Sequence, residues 1–520
     1  MVEGEAGTNR DNAMKMQNER ETRTEIEMAR SSIGDEVTTS QTQAQAHEPQ
    51  TPAEIAAPMT WSENVSRAHS RTSSRAEEEE DVELQAFASR QTEGNFALRE
   101  DVPPDGGYGW ICTLCVCLIN AHTWGVNAAW GVFLAYFLRV STFRSATHLE
   151  YALIGGLSIS QALMVTPLVA LSNEKFGTRT TLLIGTFLLS ASMLTSSFAT
   201  EVWQLFLSQG VCFGWGMGCL YITAAAILPQ WFSKRRSLAM GLASAGSGFG
   251  GLAYNLGAGA GLETLGWRWT YRILAIATLV TNLTSAILLK DRNRLVRPST
   301  KAFDVREYAR VETWLLITWG FMTELGFVVL LYSLPNYAQT IGLSSQQGAV
   351  VGAMLSLGLG FGRPLVGWIS DVFGRINVAT GMTALCGILC LGIWIPAKSY
   401  GVLILFAILG GTVAGTFWGT VVPVTAEVTG LQRLPSTFGM ICLPLVLPAT
   451  FGEGVALELV SASGYVSAQV FTACTFLAGA VAIWLLRSWQ LHELAKREQA
   501  DQTFSRVWLT LHGLFDLKKV

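Results

Sequence analysis

The stretch Asp105–Trp110, which reads DGGYGW, stands where the character of the chain changes. Before it the sequence is polar and acidic, and after it hydrophobic sequence continues almost unbroken to about residue 488. Pro103 and Pro104 prevent a helix from running in from the tail. The glycines let the backbone bend, and the tyrosine and tryptophan suit a membrane interface. The stretch therefore predicts the point at which the chain enters a membrane.

The composition supports this interpretation. Of the 520 residues 50% are hydrophobic and only 14% are charged, which is well below the usual quarter for soluble domains. The net charge of -3 gives no basic signature for nucleic acid. The nine cysteines lie in apolar stretches and read as small apolar fillers. We therefore predict a lipid bilayer as the environment and a small molecule as the partner, with no nucleic acid, no metal and no cofactor; the oligomeric state stays open.

Apolar segments of about 20 residues, the length that crosses a bilayer, recur along the chain. Six of them lie near residues 108–138, 149–172, 179–200, 203–230, 237–261 and 270–289. Six more lie near 313–341, 347–370, 376–396, 401–428, 434–459 and 464–487. The pattern predicts an all-α membrane protein with twelve transmembrane helices in two six-helix halves.

The remaining sequence predicts how the chain is organised around these helices. Residues 1–102 lack the apolar surface to fold and are predicted to form a disordered tail. An N-terminal half at 103–290 and a C-terminal half at 313–488 flank a charged linker at 291–312. In the tail at 489–520, apolar residues at three- and four-residue spacing from Phe504 to Phe515 predict an amphipathic helix on the inner membrane face; the alternative is a plain packing helix. Lys and Arg are concentrated in alternate loops and in the linker, so both termini are predicted to be cytosolic.

One loop occurs in both halves. Residues 173–179 read NEKFGTR, and residues 367–375 read GWISDVFGR. Each loop joins two helices through a Phe-Gly turn followed by an arginine. Two matched halves with this loop in both resemble the major facilitator superfamily, in which a substrate site lies between halves that rock around it.

Two signatures resemble the monocarboxylate transporter family within that superfamily. The first is the opening stretch, and the second is Trp231–Gly246, which reads WFSKRRSLAMGLASAG. The segment WGVNAAWGVF at 124–133 is similar to the fungal branch in particular. The predicted gating and signature residues are Asp105, Gly106, Gly107, Trp110, Arg179, Lys234, Arg235, Arg236, Asp371 and Arg375.

Arg363 lies within the eighth predicted span, where an arginine usually faces a cavity or a partner. The family resemblance implies that it receives the carboxylate of the substrate, which a guanidinium can bind with two parallel hydrogen bonds. The alternative is an ion pair with Glu324 or Glu427. The predicted pore-lining residues are Asn120, His122, Asn127, Tyr221, Asn255, Glu324 and Trp418.

Two positions depart from the family pattern. Leu359 stands where the family has an aspartate for proton coupling, and Ala128 lies in the region of the first span where animal members have a lysine. Glu324 and His122 are the candidate proton carriers, because a carboxyl group buried in low dielectric can hold a proton. The alternative for both residues is a hydrogen-bonded role in packing.

The sequence predicts a secondary-active transporter of a small organic anion such as a monocarboxylate, in the plasma membrane, and not an enzyme. The sequence has no Gly-rich loop that ends in Gly-Lys-Ser/Thr, which is the motif that would indicate an ATP site. Two alternatives stay open: an exporter of a secondary metabolite or a riboflavin-type permease of the same fold, and a transporter-like receptor that binds a metabolite without moving it.

Overall fold

The computed structural model describes residues 103–140, 142–143, 148–296 and 304–498. Within these ranges every regular element is a helix, which confirms the predicted all-α fold class. The tail at 1–102 and the predicted amphipathic helix after residue 503 lie outside the described residues. This helix content is expected in a bilayer. Lipid offers no hydrogen-bond partner, so each backbone polar group of a span has to bond within its own helix.

Several spans of the N-terminal half are broken into shorter helices. Its helices are α1 (Tyr108–His122), α2 (Trp124–Ala128), α3 (Trp130–Val140), α4 (His148–Met164), α5 (Thr166–Phe176), α6 (Thr178–Ser196), α7 (Val202–Leu205), a π-helical turn (Phe206–Cys212), α8 (Phe213–Ala225), a 3-10 turn (Leu228–Gln230), α9 (Arg236–Thr264) and α10 (Trp267–Leu288).

A short linker leads to the C-terminal half. The described part of the linker holds α11 (Asn293–Val296) and a 3-10 turn (Val305–Ala309). The C-terminal half contains α12 (Val311–Thr340), α13 (Ser345–Phe373), α14 (Arg375–Leu389), a π-helical turn (Cys390–Trp394), α15 (Tyr400–Ala414), α16 (Thr416–Cys442), α17 (Val446–Ser463) and α18 (Tyr465–Glu498).

Helices cover the sequence of each of the twelve predicted spans. Eight helical stretches among the described residues are long and apolar enough to cross a membrane, and the bent pair α4 and α5 makes a ninth. α6 and α9 have the required length but are rich in Thr, Ser and Gly, so their apolarity is lower. The continuous stretch from Tyr400 to Ser463 holds two spans, because the chain reverses inside α16.

Gly430 marks that reversal. Its φ of 78° and ψ of 163° are non-helical, and a residue with a Cβ rarely adopts them. The tenth span therefore ends at Gly430 and the eleventh begins directly after it. The last span differs from its predicted end at 487, since α18 continues to Glu498.

The two halves contact each other along several helix pairs. α9 of the N-terminal half packs against α13 and α16 of the C-terminal half, α4 packs against α17, and α5 packs against α16. The α9–α13 contact is close because glycines lie in it: a Cβ at Gly241 would collide with the carbonyl oxygen of Arg363, and one at Gly367 with that of Ser237. Small residues at such a crossing let backbones touch.

Candidate functional site

The two signature stretches of the sequence bind each other. The Asp105 carboxylate accepts hydrogen bonds from three successive backbone N–H groups of Ser233–Arg235, at 2.7, 2.7 and 3.4 Å. Asp105 adopts a left-handed φ of 52°, and its own N–H donates to the Trp231 carbonyl at 3.0 Å. The Trp110 ring packs edge-on against Phe232, with 4.9 Å between centroids. The start of the first span is thereby fixed to the turn that precedes α9.

The same turn is bound from the other side by the C-terminal half. The two Asp371 carboxylate oxygens accept from the backbone N–H groups of Ser237 (3.0 Å) and Leu238 (2.8 Å), at the first turn of α9. A helix N-terminus has unpaired N–H groups and a partial positive charge, so a carboxylate is a matched partner there. We call this end of the bundle, which carries Asp105, the segment 233–238, Asp371 and Arg375, the basic face.

Arg375 completes the contact between the halves. Its guanidinium donates to the Ser233 carbonyl (2.5 Å), to Ser237 Oγ (3.1 Å) and to Glu427 Oε2 (3.1 Å). It also forms an ion pair with Asp371 at 3.4 Å. Of the other basic residues in this region, Arg236 is buried and donates to the Phe232 carbonyl at 3.0 Å, whereas Lys234 and Arg235 are exposed.

The repeated loop of the N-terminal half makes different contacts. Asn173 exchanges hydrogen bonds with Thr223 of α8, at 3.1 and 3.3 Å, which is a contact within its own half. Arg179 and the Glu174–Gly177 segment of the loop are exposed. The two loops that share a sequence pattern therefore differ in what they bind.

Arg363 lies at the interface between the halves, in the middle of α13. Its side chain is 7% exposed, and Nη1 donates to the Ser244 carbonyl of α9 (2.7 Å) and to the Ser247 hydroxyl. Within the described part of the chain no ion pair joins Arg363 to a carboxylate, and its Nε has no hydrogen-bond partner. The two alternative partners named from the sequence are engaged elsewhere: Glu427 pairs with Arg375, and Glu324 accepts from Trp418.

Three aromatic rings from both halves meet beside Arg363. Trp124 of α2, Tyr221 of α8 and Trp418 of α16 contact one another, with ring centroids 5.5 to 5.8 Å apart. Trp418 Nε1 donates to Glu324 Oε2 at 2.7 Å, and Glu324 is 3% exposed. Tyr221 and Glu324 are both close enough to Arg363 to interact with it electrostatically, although Glu324 forms no ion pair with it within 4.0 Å. The structure thus brings together three of the predicted pore-lining residues, Tyr221, Glu324 and Trp418, around Arg363.

The other predicted residues lie in contacts inside the N-terminal half. Asn120 donates to the carbonyls of Val116 and Ala243, which joins α1 to α9. Asn127 accepts from Ser158 of α4 at 2.7 Å. His122 Nδ1 lies 2.9 Å from its own-helix carbonyl of Leu118, and its ring is edge-on to Tyr254. Asn255 is half-buried on α9, one residue after that tyrosine.

Some residues of this region were not predicted from the sequence. Trp124 was not among the predicted pore-lining residues, because hydropathy does not tell whether an aromatic residue in an apolar span faces lipid or the interior. Ser244 and Ser247 bind Arg363, but they occur in a run of small residues that indicates packing alone. The available signal was position in the sequence: both serines lie on α9, Ser244 within the second signature and Ser247 directly after it.

Comparisons with known proteins bear on the family and the fold of this chain. The chain matches the family model described as Major Facilitator Superfamily over residues 110–355 and 316–515. It is 34% identical over 425 residues to "Probable transporter MCH2" of Saccharomyces cerevisiae, covering 79% of this chain and 89% of that protein. It is also 34% identical to "Uncharacterized transporter ESBP6" of the same yeast, with 78% of this chain and 63% of that protein covered.

A more distant relative and two solved structures extend the comparison. The "Fujikurins efflux protein" of Gibberella fujikuroi is 27% identical, over 84% of this chain and 92% of that protein. The structure of the proton:xylose symporter XylE superposes with a TM-score of 0.56 at 14% identity, over 72% of this chain and 95% of XylE. FucP gives a TM-score of 0.58 at 16% identity, over 73% of this chain and 99% of FucP. These structures bear on the fold alone.

Proposed function

Because the chain belongs to the Major Facilitator Superfamily, we propose that it is a secondary-active transporter that carries a small organic anion across a membrane by alternating access. The observation that carries the proposal is Arg363, a buried guanidinium at the interface between the halves. A buried charge without a carboxylate at ion-pair distance is costly unless something compensates it. An anionic cargo would supply that compensation each time it binds.

The contacts of Arg363 suit reversible binding. Ser244 and Ser247 bind Nη1, which orients the guanidinium, and they carry no charge that would compete with an anion. A guanidinium presents five N–H donors in a fixed plane, so donors remain for a carboxylate. Because the serines lie on α9 and the arginine on α13, separation of the two helices would also change how tightly the cargo is bound.

Glu324 is the proposed site of proton coupling. Its carboxyl group is buried, and Trp418 donates to one of its oxygens at 2.7 Å. Trp418 also contacts Trp124 and Tyr221 of the other half, so a change in the protonation of Glu324 can reach the contact between the halves. His122, the second candidate, is bound within the N-terminal half and has no comparable link across the interface among its described contacts.

The finer assignments rest on sequence features. Membership of the monocarboxylate porter family is supported by the two signatures, whose residues bind each other through Asp105. We place the basic face and both termini in the cytosol, and the protein in the plasma membrane. The halves are proposed to span 103–290 and 313–488, joined by the linker at 291–312. The roles of the signature residues in gating, Gly106 and Gly107 included, are part of the same proposal.

Flux into sealed vesicles tests the anion site. Purified full-length protein is reconstituted, and uptake of labelled pyruvate, lactate and larger organic acids is measured. We expect Arg363→Ala to abolish uptake of the anion that the wild type carries and Arg363→Lys to retain a fraction, since a lysine keeps the charge but loses the planar donors. Arg139→Ala is the matched control, because that arginine is 65% exposed. Full uptake by Arg363→Ala would overturn the proposal, and binding without flux would favour a receptor.

A pH gradient tests the coupling. We expect uptake by the wild type to rise when the outside of the vesicle is acidic relative to the inside, and Glu324→Gln to lose this response while counterflow of unlabelled against labelled cargo persists. Counterflow exchanges cargo without net proton movement, so it separates a coupling defect from a folding defect. If uptake by the wild type did not change with the pH gradient, Glu324 would not be a site of proton coupling.

A further inference from the structure

We infer that the cargo carries a flat aromatic ring beside its acidic group, and that Trp124, Tyr221 and Trp418 recognise this ring. The inference rests on the proposed function, since it places the ring next to the anion site at Arg363. It adds a substrate class, an aromatic organic anion, to the proposed transport.

The first argument is where the three rings come from. Trp124 and Tyr221 belong to the N-terminal half and Trp418 to the C-terminal half, and each ring contacts the other two. When the halves separate, Trp418 loses both of its ring partners in the other half. An aromatic cargo offers a replacement surface with the same preference for edge-on or offset contact, whereas an aliphatic cargo does not.

The second argument is the chemistry of the unpartnered atoms. The side chains of Tyr221, Trp124 and Arg363 each have a buried polar atom without a hydrogen-bond partner in the described structure: the hydroxyl, the indole Nε1 and the guanidinium Nε. The indole and guanidinium nitrogens can only donate. Buried donors normally find an acceptor, so a ligand rich in acceptor oxygens fits this site. A carboxylate on an aromatic ring supplies such oxygens.

The third argument is the shape of the wall beside Arg363. Gly415, which immediately precedes α16, and Gly419 in its first turn lie against the arginine side chain, and a Cβ at Gly415 would come within 2.8 Å of Arg363 Nε. The wall there is therefore bare backbone, with Trp418 on the same helix turn. A ligand that enters between this backbone and the guanidinium has to be thin, which favours a planar group over a branched one.

A matched pair of acids tests the inference. Binding of benzoate and of cyclohexanecarboxylate to purified full-length protein in detergent is measured by isothermal titration calorimetry. The two acids carry the same charge and the same number of carbons, but only benzoate is aromatic and flat. We expect benzoate to bind about tenfold more tightly, the gain typical of one or two added aromatic contacts.

Variants assign the preference to the rings. Trp124→Leu should reduce the preference for benzoate to about threefold or less. Tyr221→Phe keeps the ring and removes the donor, so it should weaken both acids and leave their ratio unchanged. Trp203→Leu is the control, because Trp203 is 61% exposed at the start of α7 and should change neither affinity. If Trp124→Leu fails to fold, the comparison of the two acids in the wild type decides alone.

The outcomes separate this inference from the proposed function. Equal affinity of the two acids, with both lost in Arg363→Ala, would overturn the aromatic preference and leave the organic-anion site standing. Absence of binding and of flux for every organic anion would overturn both. A preference for benzoate that stays about tenfold in Trp124→Leu would place the recognition elsewhere and would overturn the role of these rings.

Discussion

The repeated loops of the two halves share a Phe-Gly turn and an arginine, yet they make unequal contacts. Asp371 and Arg375 bind the segment 233–238 of the opposite half. Asn173 binds Thr223 of its own half, and Arg179 is exposed. The difference lies in what each side chain binds: the Asp371 carboxylate accepts two backbone N–H groups at a helix start, whereas the Asn173 amide exchanges hydrogen bonds with a hydroxyl of its own half.

In the repeat of the two halves, the start of the eleventh span corresponds to the start of the fifth. The linker, rather than the opposite half, supplies the hydrogen bonds that fix the start of the eleventh span. Glu307 of the 3-10 turn accepts from Arg433 at 3.1 and 2.6 Å and from Thr437 at 3.3 Å. The N–H of Asp304 donates to Ser436 Oγ at 3.0 Å. The eleventh span is thus fixed to its own half through the linker, while the fifth span is fixed to the other half through Asp371. A rocking motion would therefore break charged contacts mainly on the α9–α13 side of the basic face.

Adding one methyl group at the α9–α13 crossing should have the largest effect. In Gly367→Ala the new Cβ meets the carbonyl oxygen of Ser237, and backbone cannot move aside as a side chain can. We expect closure of the basic face to become unfavourable and transport to fall on the order of 100-fold. The measurement is uptake of the cargo in vesicles at equal protein content.

The matched control is Gly439→Ala on the α16 side. Its Cβ would lie 3.2 Å from the Thr166 methyl group, a side-chain contact that can adjust by a few tenths of an ångström. Transport should change less than about threefold, as for most substitutions without a severe clash. Equal loss in both variants would contradict the asymmetry between the two sides.

Asp371→Asn should have the next largest effect. The variant keeps the shape of the side chain but removes the charge that binds Ser237, Leu238 and Arg375. Hydrogen bonds to a charged group contribute about 1.5–3 kcal/mol each, so the closed basic face should lose roughly a factor of 10 to 100 in population. Spin labels at exposed Thr180 and Phe373, introduced after replacement of the nine native cysteines, report the distance between the halves. An unchanged distance distribution would show that Asp371 does not hold the halves together.

The spans, and most of their boundaries, could be predicted from the sequence, because a bilayer demands about 20 apolar residues and glycine marks the turns. Contacts between distant segments could not. Glu307 reads as a solvated charge in a polar linker, and nothing in its neighbourhood indicates Arg433, which lies 126 residues away. Trp124 and Trp418 are likewise aromatic residues in apolar helices, and hydropathy does not tell which side of a helix faces a partner. Arg363 was predictable because a charge in a span is rare whatever surrounds it.

Glu307→Gln should affect stability more than gating. The carboxylate is 5% exposed and binds Arg433 and Thr437, so its loss should lower the free energy of unfolding of the C-terminal half by about 2 kcal/mol. The midpoint of thermal unfolding, followed by tryptophan fluorescence, should fall. Glu174→Gln, at an exposed position of the N-terminal loop, should leave the midpoint unchanged. A shift in the distance between the Thr180 and Phe373 labels, rather than in the unfolding midpoint, would mean that the linker takes part in gating.

Asn173→Asp should have the smallest effect, although it adds an aspartate to the N-terminal loop. Aspartate can still accept the hydrogen bond from the Thr223 hydroxyl but can no longer donate to it. The new charge finds the start of the eleventh span already engaged, since Glu307 binds Arg433 and Ser436 accepts from the linker. We therefore expect less than about a threefold change in the population of the closed basic face, measured with the same label pair. The contrary outcome is that Asn173→Asp closes the basic face as strongly as Asp371→Asn opens it. A carboxylate at residue 173 would then be enough to bind the opposite half, and the linker would have no part in the difference between the loops.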